Sequence, residues 1–367
     1  DRNLIWEKIK ELNFGIDLSV LKNRINVTAD AYRRLSDGQI MKATVPLETG
    51  ESSITTNIGS IQNTGIEIGL SLGILRNKNF TWDMNLSFAR NWSKIKELPN
   101  GDDVTNNWFI GERLNVLRDY TSAGIITADG VTMHTVNGDR HYTLQEVYDT
   151  FGPKSANKLQ WYEGQMAVND WNDDGKINDD DKQIYGCTDP KWTGSLSSTI
   201  TYKDFDFSFM LYTKQGQWSR SYFHEQYMDY NDRGRQKMSF DYYIPAGTPV
   251  LDKETGDITW LAEAHVSSAP YPNNSDKTGG GYFKSGSASV RYQKTSFVKV
   301  KNVTLGYTFP KEWMNKVFVK HLRLYINVLN PFCFTNYKGF DPEWASANLT
   351  NGGPASITYQ IGANIKF

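Results

Sequence analysis

The stretch GIEIGLSLGIL, residues 65–75, decides the fold class of this chain. Its larger apolar residues, Ile66, Ile68, Leu70, Leu72 and Ile74, fall at every second position, so all five are expected on one face of an extended strand. After a tight RNKN turn, the segment FTWDMNLSFARNW at 80–92 repeats the alternation. A period of two over segments of this length predicts an antiparallel hairpin with one apolar and one polar face.

The same alternation recurs along the chain, while helical periodicity is almost absent. About nine long strands are expected, which makes the chain all-β. Besides the hairpin above, the alternating segments are ELNFGIDLSV (11–20), INVTADAY (25–32), GSLSSTITY (194–202), FDFSFMLY (205–212), residues 298–309, residues 322–328 and ASITYQIGANIKF (355–367).

The connections between these strands alternate between short and long. Short turns follow the odd-numbered strands, and long loops of about 41–60, 96–192, 213–293 and 338–354 follow the even-numbered ones. This sorting is typical of transmembrane antiparallel β-barrels, which have short periplasmic turns and long extracellular loops. Because bacterial single-chain barrels have even strand numbers, an odd count predicts that residues 1–367 are the C-terminal portion of a larger barrel.

Composition excludes several other classes of protein. The chain has 367 residues with 40 basic and 41 acidic side chains, so no positive surplus indicates a nucleic-acid partner. The mean hydropathy is −0.55, and no apolar run reaches the ~18 residues that a membrane-spanning helix needs. Aromatic residues reach 13%, which suits membrane-interface girdles or stacking on sugars. Cys187 and Cys333 show no metal-ligand or disulfide pattern.

The alternation also predicts which side chains meet membrane lipids. Charge at the bilayer midplane costs about 2–4 kcal/mol, so the apolar set should face lipid and the polar set the lumen. The residues expected to face the lumen include Asn13, Asp17, Glu67 and Asn364. Those expected to face lipid are Leu12, Phe14, Ile16, Leu18, Ile66, Ile68, Leu70, Phe205, Phe207, Phe209, Ile361 and Ile365.

The predicted loop at 96–192 contains a candidate metal site. Its segment DWNDDGKINDDD, at 170–181, has the spacing of an EF-hand-type calcium loop. The expected ligands are the side chains of Asp170, Asn172, Asp174 and Asp181, the Lys176 carbonyl, and Asn178, which binds either directly or through water. Gly175 permits the sharp turn, and Ile177 should point back as a packing anchor. A solvated acidic turn is the alternative. Gly186 and Pro190 leave no room for the exiting helix of a dockerin, so we interpret the loop as an extracellular structural calcium site.

Aromatic residues in the loops are the second group of candidates, and catalytic residues are not expected. Sugar rings stack on flat aromatic faces, and girdles or loop packing use the same residues; we take Trp108, Trp161, Tyr162 and Trp218 as candidate substrate contacts. The five histidines show neither H-x-x-H nor H-E-x-x-H spacing, and no G-x-S-x-G motif occurs. We therefore expect no enzymatic activity.

Five segments, in order along the chain, resemble the SusC/RagA family of TonB-dependent transporters. The first two are the strand pair LIWEKIKELNFGIDLSVLKNRINVTADAYRR and the segment NIGSIQNTGIEIGLS. The third is DWNDDGKINDDDKQIYG, and the last two are VKVKNVTLGYTFPKEW and NVLNPFCFTNYKGFDPE. The resemblance extends from Trp6 to Phe367, which is nearly the whole chain.

The resemblance implies a 22-stranded barrel in the outer membrane of a Gram-negative bacterium, plugged by an N-terminal domain. The plug, the TonB-binding segment and the earlier strands would lie outside this chain. The implied partners are a SusD-like surface lipoprotein, TonB acting through the plug, membrane lipids, and an imported oligosaccharide or, in some members, a peptide. Two rival interpretations are a TonB-dependent siderophore receptor and a secreted, calcium-stabilised β-sandwich that binds glycans.

Overall fold

The structure of the chain, a computed structural model, is dominated by one antiparallel sheet of nine strands, each hydrogen-bonded to the next in chain order. It describes residues 4–44, 50, 53–98, 100–151, 161, 163–227, 242–252, 254–267, 292–316, 318–346 and 353–367. The nine strands are β1 (Lys8–Val20), β2 (Ile25–Thr44), β3 (Ser53–Arg76), β4 (Phe80–Glu97), β11 (Trp192–Tyr202), β12 (Phe205–Gln215), β17 (Phe297–Thr308), β18 (His321–Thr335) and β19 (Thr358–Lys366). The predicted number of strands and their sequential pairing are confirmed.

The two ends of the sheet differ in their connections, as predicted. Residues 21–24, 77–79 and 203–204 form tight turns at one end, where a short helix, Lys311–Asn315, also connects β17 to β18. Lys203 adopts the left-handed conformation with φ 53°, which lets a two-residue turn close β11 onto β12. The connections at the opposite end include the two longest ones, residues 98–191 and 216–296.

The register places apolar residues opposite one another across the whole sheet. Residues directly opposite in an antiparallel pair share a face, so each row of partners identifies one face. One such row runs through seven strands as Leu18, Val27, Leu70, Leu86, Leu196, Leu211 and Val300. We call this side the apolar face. It holds all twelve residues predicted to face lipid, including Phe205 opposite Tyr307 and Ile361 opposite Ile326.

The opposite side, the polar face, has side chains joined by hydrogen bonds between strands. The hydroxyls of Ser87 and Ser195 lie 2.7 Å apart, and the Arg323 Nε donates to Asp206 Oδ1 at 2.8 Å. A ladder crosses three strands, from the Thr304 hydroxyl to Asn327 at 2.9 Å and from the Asn327 amide to Gln360 at 3.0 Å. The four residues predicted to face the lumen, Asn13, Asp17, Glu67 and Asn364, all lie on this face.

Two sequence expectations about this sheet are corrected by the register. Ile74 is not on the apolar face in register with Leu72, because a bulge between Gly73 and Leu75 lets Leu75 pair with Trp82. The loop expected at 41–60 is mostly strand, since β2 and β3 continue to pair as far as Thr44 opposite Ser53. Backbone pairing continues there because hydrogen bonding between strands does not require apolar side chains.

The first of the two longest connections folds around a small core of its own. Its elements are β5 (Val116–Asp119), β6 (Ser122–Ile125), β7 (Val131–Thr135), β8 (Gly138–Tyr142), α1 (Leu144–Phe151), β9 (Met166–Val168) and β10 (Gln183–Cys187). Ile126, Met133, Val147 and Val168 are completely buried in it. This core holds the predicted calcium loop, which follows β9 directly. We call residues 98–191 the long-loop unit.

The second long connection carries shorter elements: β13 (Trp218–Arg220), α2 (Tyr222–Tyr227), β14 (Pro249–Leu251), β15 (Ile258–Trp260) and β16 (Tyr292–Lys294). Its described part is tied to the long-loop unit by a buried tyrosine, Tyr243, whose hydroxyl donates to Glu163 Oε1 at 2.7 Å. In the part of the chain that the structure describes, no helix is long and apolar enough to cross a membrane.

Candidate functional site

In the described part of the chain, the long loops cover one end of the polar face, while apolar-face residues such as Ile66, Ile68 and Phe207 stay exposed. Ile95, Phe297 and Lys299 lie on the polar face near that end, and each is at most 3% exposed. The loop backbone pairs with this end directly, because Ile95 N donates to Glu112 O and Gly111 N donates to Ile95 O, both at 2.8 Å. We call this covered end of the polar face the polar wall. The loops and the polar wall together form the mouth at this end of the sheet, and the predicted site residues lie in these loops.

The predicted calcium loop is organised around the side chain of its first residue. Asp170 accepts from the backbone N–H of Asp174 at 3.2 Å and from that of Gly175 at 2.9 Å. The glycine has φ +74°, a left-handed conformation that explains its place at the sharp turn. Asn172 and Asp174 each accept from the backbone N–H two residues later, at 3.2 and 2.8 Å. The first half of the loop is thus a chain of side-chain-to-backbone turns.

The last residue of the loop, Asp181, closes the loop onto its first half. Its two carboxylate oxygens accept from Asn178 N at 2.8 Å and from Asn172 N at 3.4 Å. Asp170 and Asp181 are both fully buried. Ile177, between the two halves, packs against the core of the long-loop unit as predicted. Two carboxylates are consequently held inside a folded loop, where an uncompensated negative charge is costly.

Cations within this region are paired with acidic residues other than the predicted ligands. Arg140 lies 3.4 Å from Asp173, and Lys182 lies 2.6 Å from Asp179 and lowers the pKa of that carboxyl. By contrast, among the described residues Asp170, Asp174 and Asp181 have no lysine or arginine at ion-pair distance. Burial raises the pKa of Asp181 above its ordinary value, and the nearby Asp170 raises it further.

The donor set fits a hard cation such as calcium better than a transition metal. Calcium takes six to eight oxygen ligands from carboxylates, amides, carbonyls and water. Within the described part of the chain, no three His, Cys, Asp or Glu side chains form a metal-binding cluster. A calcium site here therefore needs the Asn172 and Asn178 amides and backbone carbonyls beside the carboxylates, as the loop spacing predicts. Lys176 has an exposed side chain and could contribute only its carbonyl.

The candidate substrate-contacting aromatic residues have different surroundings. Trp161 is 3% exposed and stacks on Phe151 with ring centroids 5.0 Å apart, so the structure corrects its prediction and assigns it to packing. Tyr162 lies outside the described residues. Trp218 is half-buried against Tyr185 at 5.7 Å, and Trp108 is half-buried beside its bridge partner Asp103. The three described candidates, Trp108, Trp161 and Trp218, therefore each have different neighbours.

A buried charge network that sequence reasoning missed anchors the last loop to the polar wall. Lys299 Nζ, 3% exposed, lies 2.6 Å from both Asp341 Oδ1 and Glu343 Oε2. Lys301, at a bulge in β17, also reaches Glu343 Oε2 at 2.8 Å. Burial opposes ionisation of Glu343, but these two lysines outweigh it and lower its pKa. The signal was present in KVK at 299–301 and DPE at 341–343, two short charged motifs far apart in the chain.

A second polar cluster joins the same loop to α2. The Ser221 hydroxyl lies 2.7 Å from His224 Nδ1 and 2.6 Å from the Tyr337 hydroxyl. Ser221 is fully buried and His224 is 5% exposed; burial lowers the pKa of His224 and raises that of Tyr337. Although a serine beside a histidine is the chemistry of a nucleophile, a fully buried hydroxyl cannot reach a substrate, so the cluster holds two loops together.

Comparison with known proteins identifies the family. No protein-family model matches the chain. The chain is 31% identical over 394 aligned residues to TonB-dependent receptor P39 of Formosa agariphila, which matches all of this chain and 36% of the relative. It is 29% identical to TonB-dependent receptor SusC of Bacteroides thetaiotaomicron, again over all of this chain and 32% of the relative. The chain belongs to the SusC/RagA family of TonB-dependent receptors.

A solved structure supports the fold of this family member. The RagAB peptide transporter matches the whole chain with a TM-score of 0.71 at 20% identity, over 36% of its own chain. The nine-stranded sheet is therefore part of a barrel of that kind. The chain spans about a third of the length of the curated relatives that it matches. These relatives are named as receptors, which agrees with the expectation that the chain is not an enzyme.

Proposed function

We propose that the chain is the C-terminal barrel segment of an outer-membrane receptor that imports nutrients by TonB-coupled transport. The observation that carries this proposal is the separation of the two faces over all nine strands. The apolar face would meet lipid, the polar face would line the lumen, and the long loops at one end would be extracellular. The N-terminal plug, the remaining strands and the contact with TonB would belong to other parts of the full-length receptor.

We further propose an oligosaccharide as the substrate class, captured beneath a SusD-like lipoprotein. Exposed loop aromatics support a sugar: Trp260 is 70% exposed and Trp344 is 48% exposed, so each has a face available for stacking. Trp344 follows the anchored Glu343, which places it in the loop held against the polar wall. A peptide is the second candidate, because the structurally similar RagAB is a peptide transporter.

The acidic loop has a structural role in this proposal. Calcium would bind within residues 170–181 and draw the carboxylates of Asp170, Asp174 and Asp181 together, supplying the positive charge that the buried pair lacks. The chain's own residues pre-form the loop through the backbone hydrogen bonds to Asp170 and Asp181. Because Ile177 joins the loop to the core of the long-loop unit, ordering the loop would stiffen the extracellular mouth.

Growth and uptake in the native bacterium test the transport proposal. A strain lacking the full-length receptor should lose uptake of a fluorescently labelled oligosaccharide and regain it from a plasmid copy. A plasmid copy without the TonB-binding segment should insert in the outer membrane but not restore uptake. If labelled oligopeptide uptake is lost instead, the substrate class is peptide. If both uptake activities survive the deletion, the transport proposal is refuted.

The same strain tests the partner. Affinity purification of the receptor in mild detergent should recover a surface lipoprotein encoded nearby, in comparable amount. If no lipoprotein is recovered with a receptor that still imports substrate, the proposed SusD-like partner is refuted.

A further inference from the structure

A groove crosses the apolar face close to the end that carries the long loops. It has a volume of about 430 Å³ and is lined almost entirely by apolar side chains from β3, β4, β11, β12 and β17. Its floor lies at Gly194, whose row neighbours are Phe88 on one side and Thr213 on the other. Two small residues, Gly194 and Thr213, lie between Phe88 and Val298 in this row and leave a depression in the apolar face.

Aromatic rings line the edge of this groove that is nearer to the long loops. Phe88 and Trp192 both line it, and their ring centroids are 5.8 Å apart. Trp92 lies two apolar-face positions farther along β4 than Phe88 and is 37% exposed. Aromatic side chains on the outer surface of a barrel are enriched at the level of the lipid headgroups. The groove therefore begins where acyl chains meet headgroups.

Positive charge is concentrated on the apolar face directly beyond the groove. Three successive rows of this face across β1 to β4 carry the cations: Arg90 in the first, Arg33 in the second, and Lys10 with Lys94 in the third. The complete rows are Phe14, Ala31, Ile66 and Arg90; Leu12, Arg33, Thr64 and Trp92; and Lys10, Leu35, Gln62 and Lys94. They contain four cations and no carboxylate.

These cations are not neutralised by the protein itself. Arg90 lies over the Trp92 ring at 4.3 Å, and Arg33 donates to the Gln62 amide oxygen at 3.1 Å. All four cations are exposed, and none has an ion-pair partner among the residues that the structure describes. The first carboxylates on this face beyond them are Asp37, opposite Lys8, and Glu97, opposite Ser60 in the same row. In a chain whose net charge is −1, four unpaired cations in three adjacent rows form a local excess.

We propose that the groove and this cation patch bind one anionic, phosphate-bearing lipid of the outer leaflet. An acyl chain fills the groove beside Gly194, and the phosphate meets the guanidinium of Arg90 and the ammonium of Lys94. Guanidinium and ammonium groups are the usual protein partners of phosphate, and each cation near an anionic membrane surface strengthens binding. The proposal rests on the proposed outer-membrane location, because only then does the apolar face meet lipid.

Native mass spectrometry of the detergent-purified full-length receptor tests this site. The probes are dioleoyl phosphatidylglycerol and dioleoyl phosphatidylcholine, which have the same chains and differ in net charge. The wild type should retain phosphatidylglycerol more tightly than phosphatidylcholine. Arg90→Gln combined with Lys94→Gln should weaken phosphatidylglycerol binding about tenfold and reduce the preference between the lipids. Inorganic phosphate should not compete, because it lacks the chain that the groove holds.

Two further variants separate the groove from general charge effects. Gly194→Leu fills the groove and should weaken binding of both lipids alike. Its added Cβ meets Ser87 O and the Trp192 ring, both at 3.3 Å, so assembly is checked by heat-modifiable electrophoresis. Lys78→Gln removes an exposed cation from the tight turn of the same β3–β4 hairpin, at the opposite end of the strands, and should leave binding of both lipids unchanged. If Gly194→Leu does not assemble, the Arg90 and Lys94 variant decides alone.

Two results would overturn the lipid site. One is a wild type that binds both lipids equally, and the other is a Lys78→Gln receptor that loses as much phosphatidylglycerol as the double variant. Either result, in a receptor that still assembles in the outer membrane and imports its substrate, refutes the lipid site alone. A receptor that never reaches the outer membrane refutes the proposed function as well.

Discussion

Replacing Lys299 by methionine should release the last loop from the polar wall while the barrel stays assembled. Methionine keeps the length of the side chain but removes the charge that Asp341 and Glu343 share, both at 2.6 Å. Asp341 is 6% exposed, so its carboxylate would stay buried without the lysine ammonium that balances its charge. Removing one partner of such a buried pair costs about 3–5 kcal/mol.

The loop can avoid most of that cost by moving into water. The local opening equilibrium should therefore shift by up to about 3 kcal/mol, or roughly a hundredfold, before global stability changes. Hydrogen exchange in the full-length receptor measures this directly at the amides of Glu343 and Ala355, which donate to Asp341 at 2.9 and 3.2 Å. Heat-modifiable electrophoresis reports separately whether the barrel is intact.

Lys301→Met is the matched control. It removes the same charge from the same Glu343, but Lys301 is 31% exposed and Asp341 keeps Lys299. Partly exposed ion pairs contribute about 0–1 kcal/mol, so exchange should rise less than about fivefold. The reasoning is refuted if the two variants accelerate exchange equally, or if Lys299→Met leaves the two amides as protected as in the wild type.

Four further predictions concern other parts of the molecule. Chelator or Asp174→Ala should speed proteolysis within 170–181 without dissociating the barrel, because at a calcium concentration near the dissociation constant the ion adds only about 0.4 kcal/mol. Since burial raises the pKa of Asp181 in the metal-free loop, calcium binding should release protons near that raised pKa and weaken as pH falls through it; a binding enthalpy independent of buffer ionisation would count against this. Tyr243→Phe should loosen residues 242–267 by about 1–3 kcal/mol, seen as faster proteolysis there, whereas the wild-type contact should persist up to alkaline pH because the pKa of Tyr243 is about 12. Leu70→Lys on the apolar face should impair membrane assembly by about 2–4 kcal/mol, while Ser71→Lys on the polar face should assemble normally; equal defects would contradict the assignment of the faces.

The sequence predicted the sheet well because the signals for strands and turns lie within short stretches of the chain. Alternation along GIEIGLSLGIL assigns a face to each side chain, and turn residues such as RNKN fix where strands reverse. The spacing of DWNDDGKINDDD likewise predicted a loop in which Asp170 and Asp181 share one small space. The sequence did not reveal the bulge at Ile74. Ile74 and Leu75 are both apolar, so an apolar side chain can follow Leu72 on the apolar face with or without the bulge.

Only the tertiary structure decided which loop residues meet. Trp161 and Trp344 look alike in the sequence, yet one lies inside the core of the long-loop unit and the other stays exposed. Lys299 meets Asp341 across 42 residues, and Tyr243 meets Glu163 across 80. No local pattern encodes such pairs, because they depend on how the loops fold back over the polar face. The sequence by itself determined the strands, their faces and the family, since these follow from a period of two and from short motifs. The burial that leaves Asp181 without a cation, and the groove beside Gly194 beneath Arg90, exist only once the strands are in register.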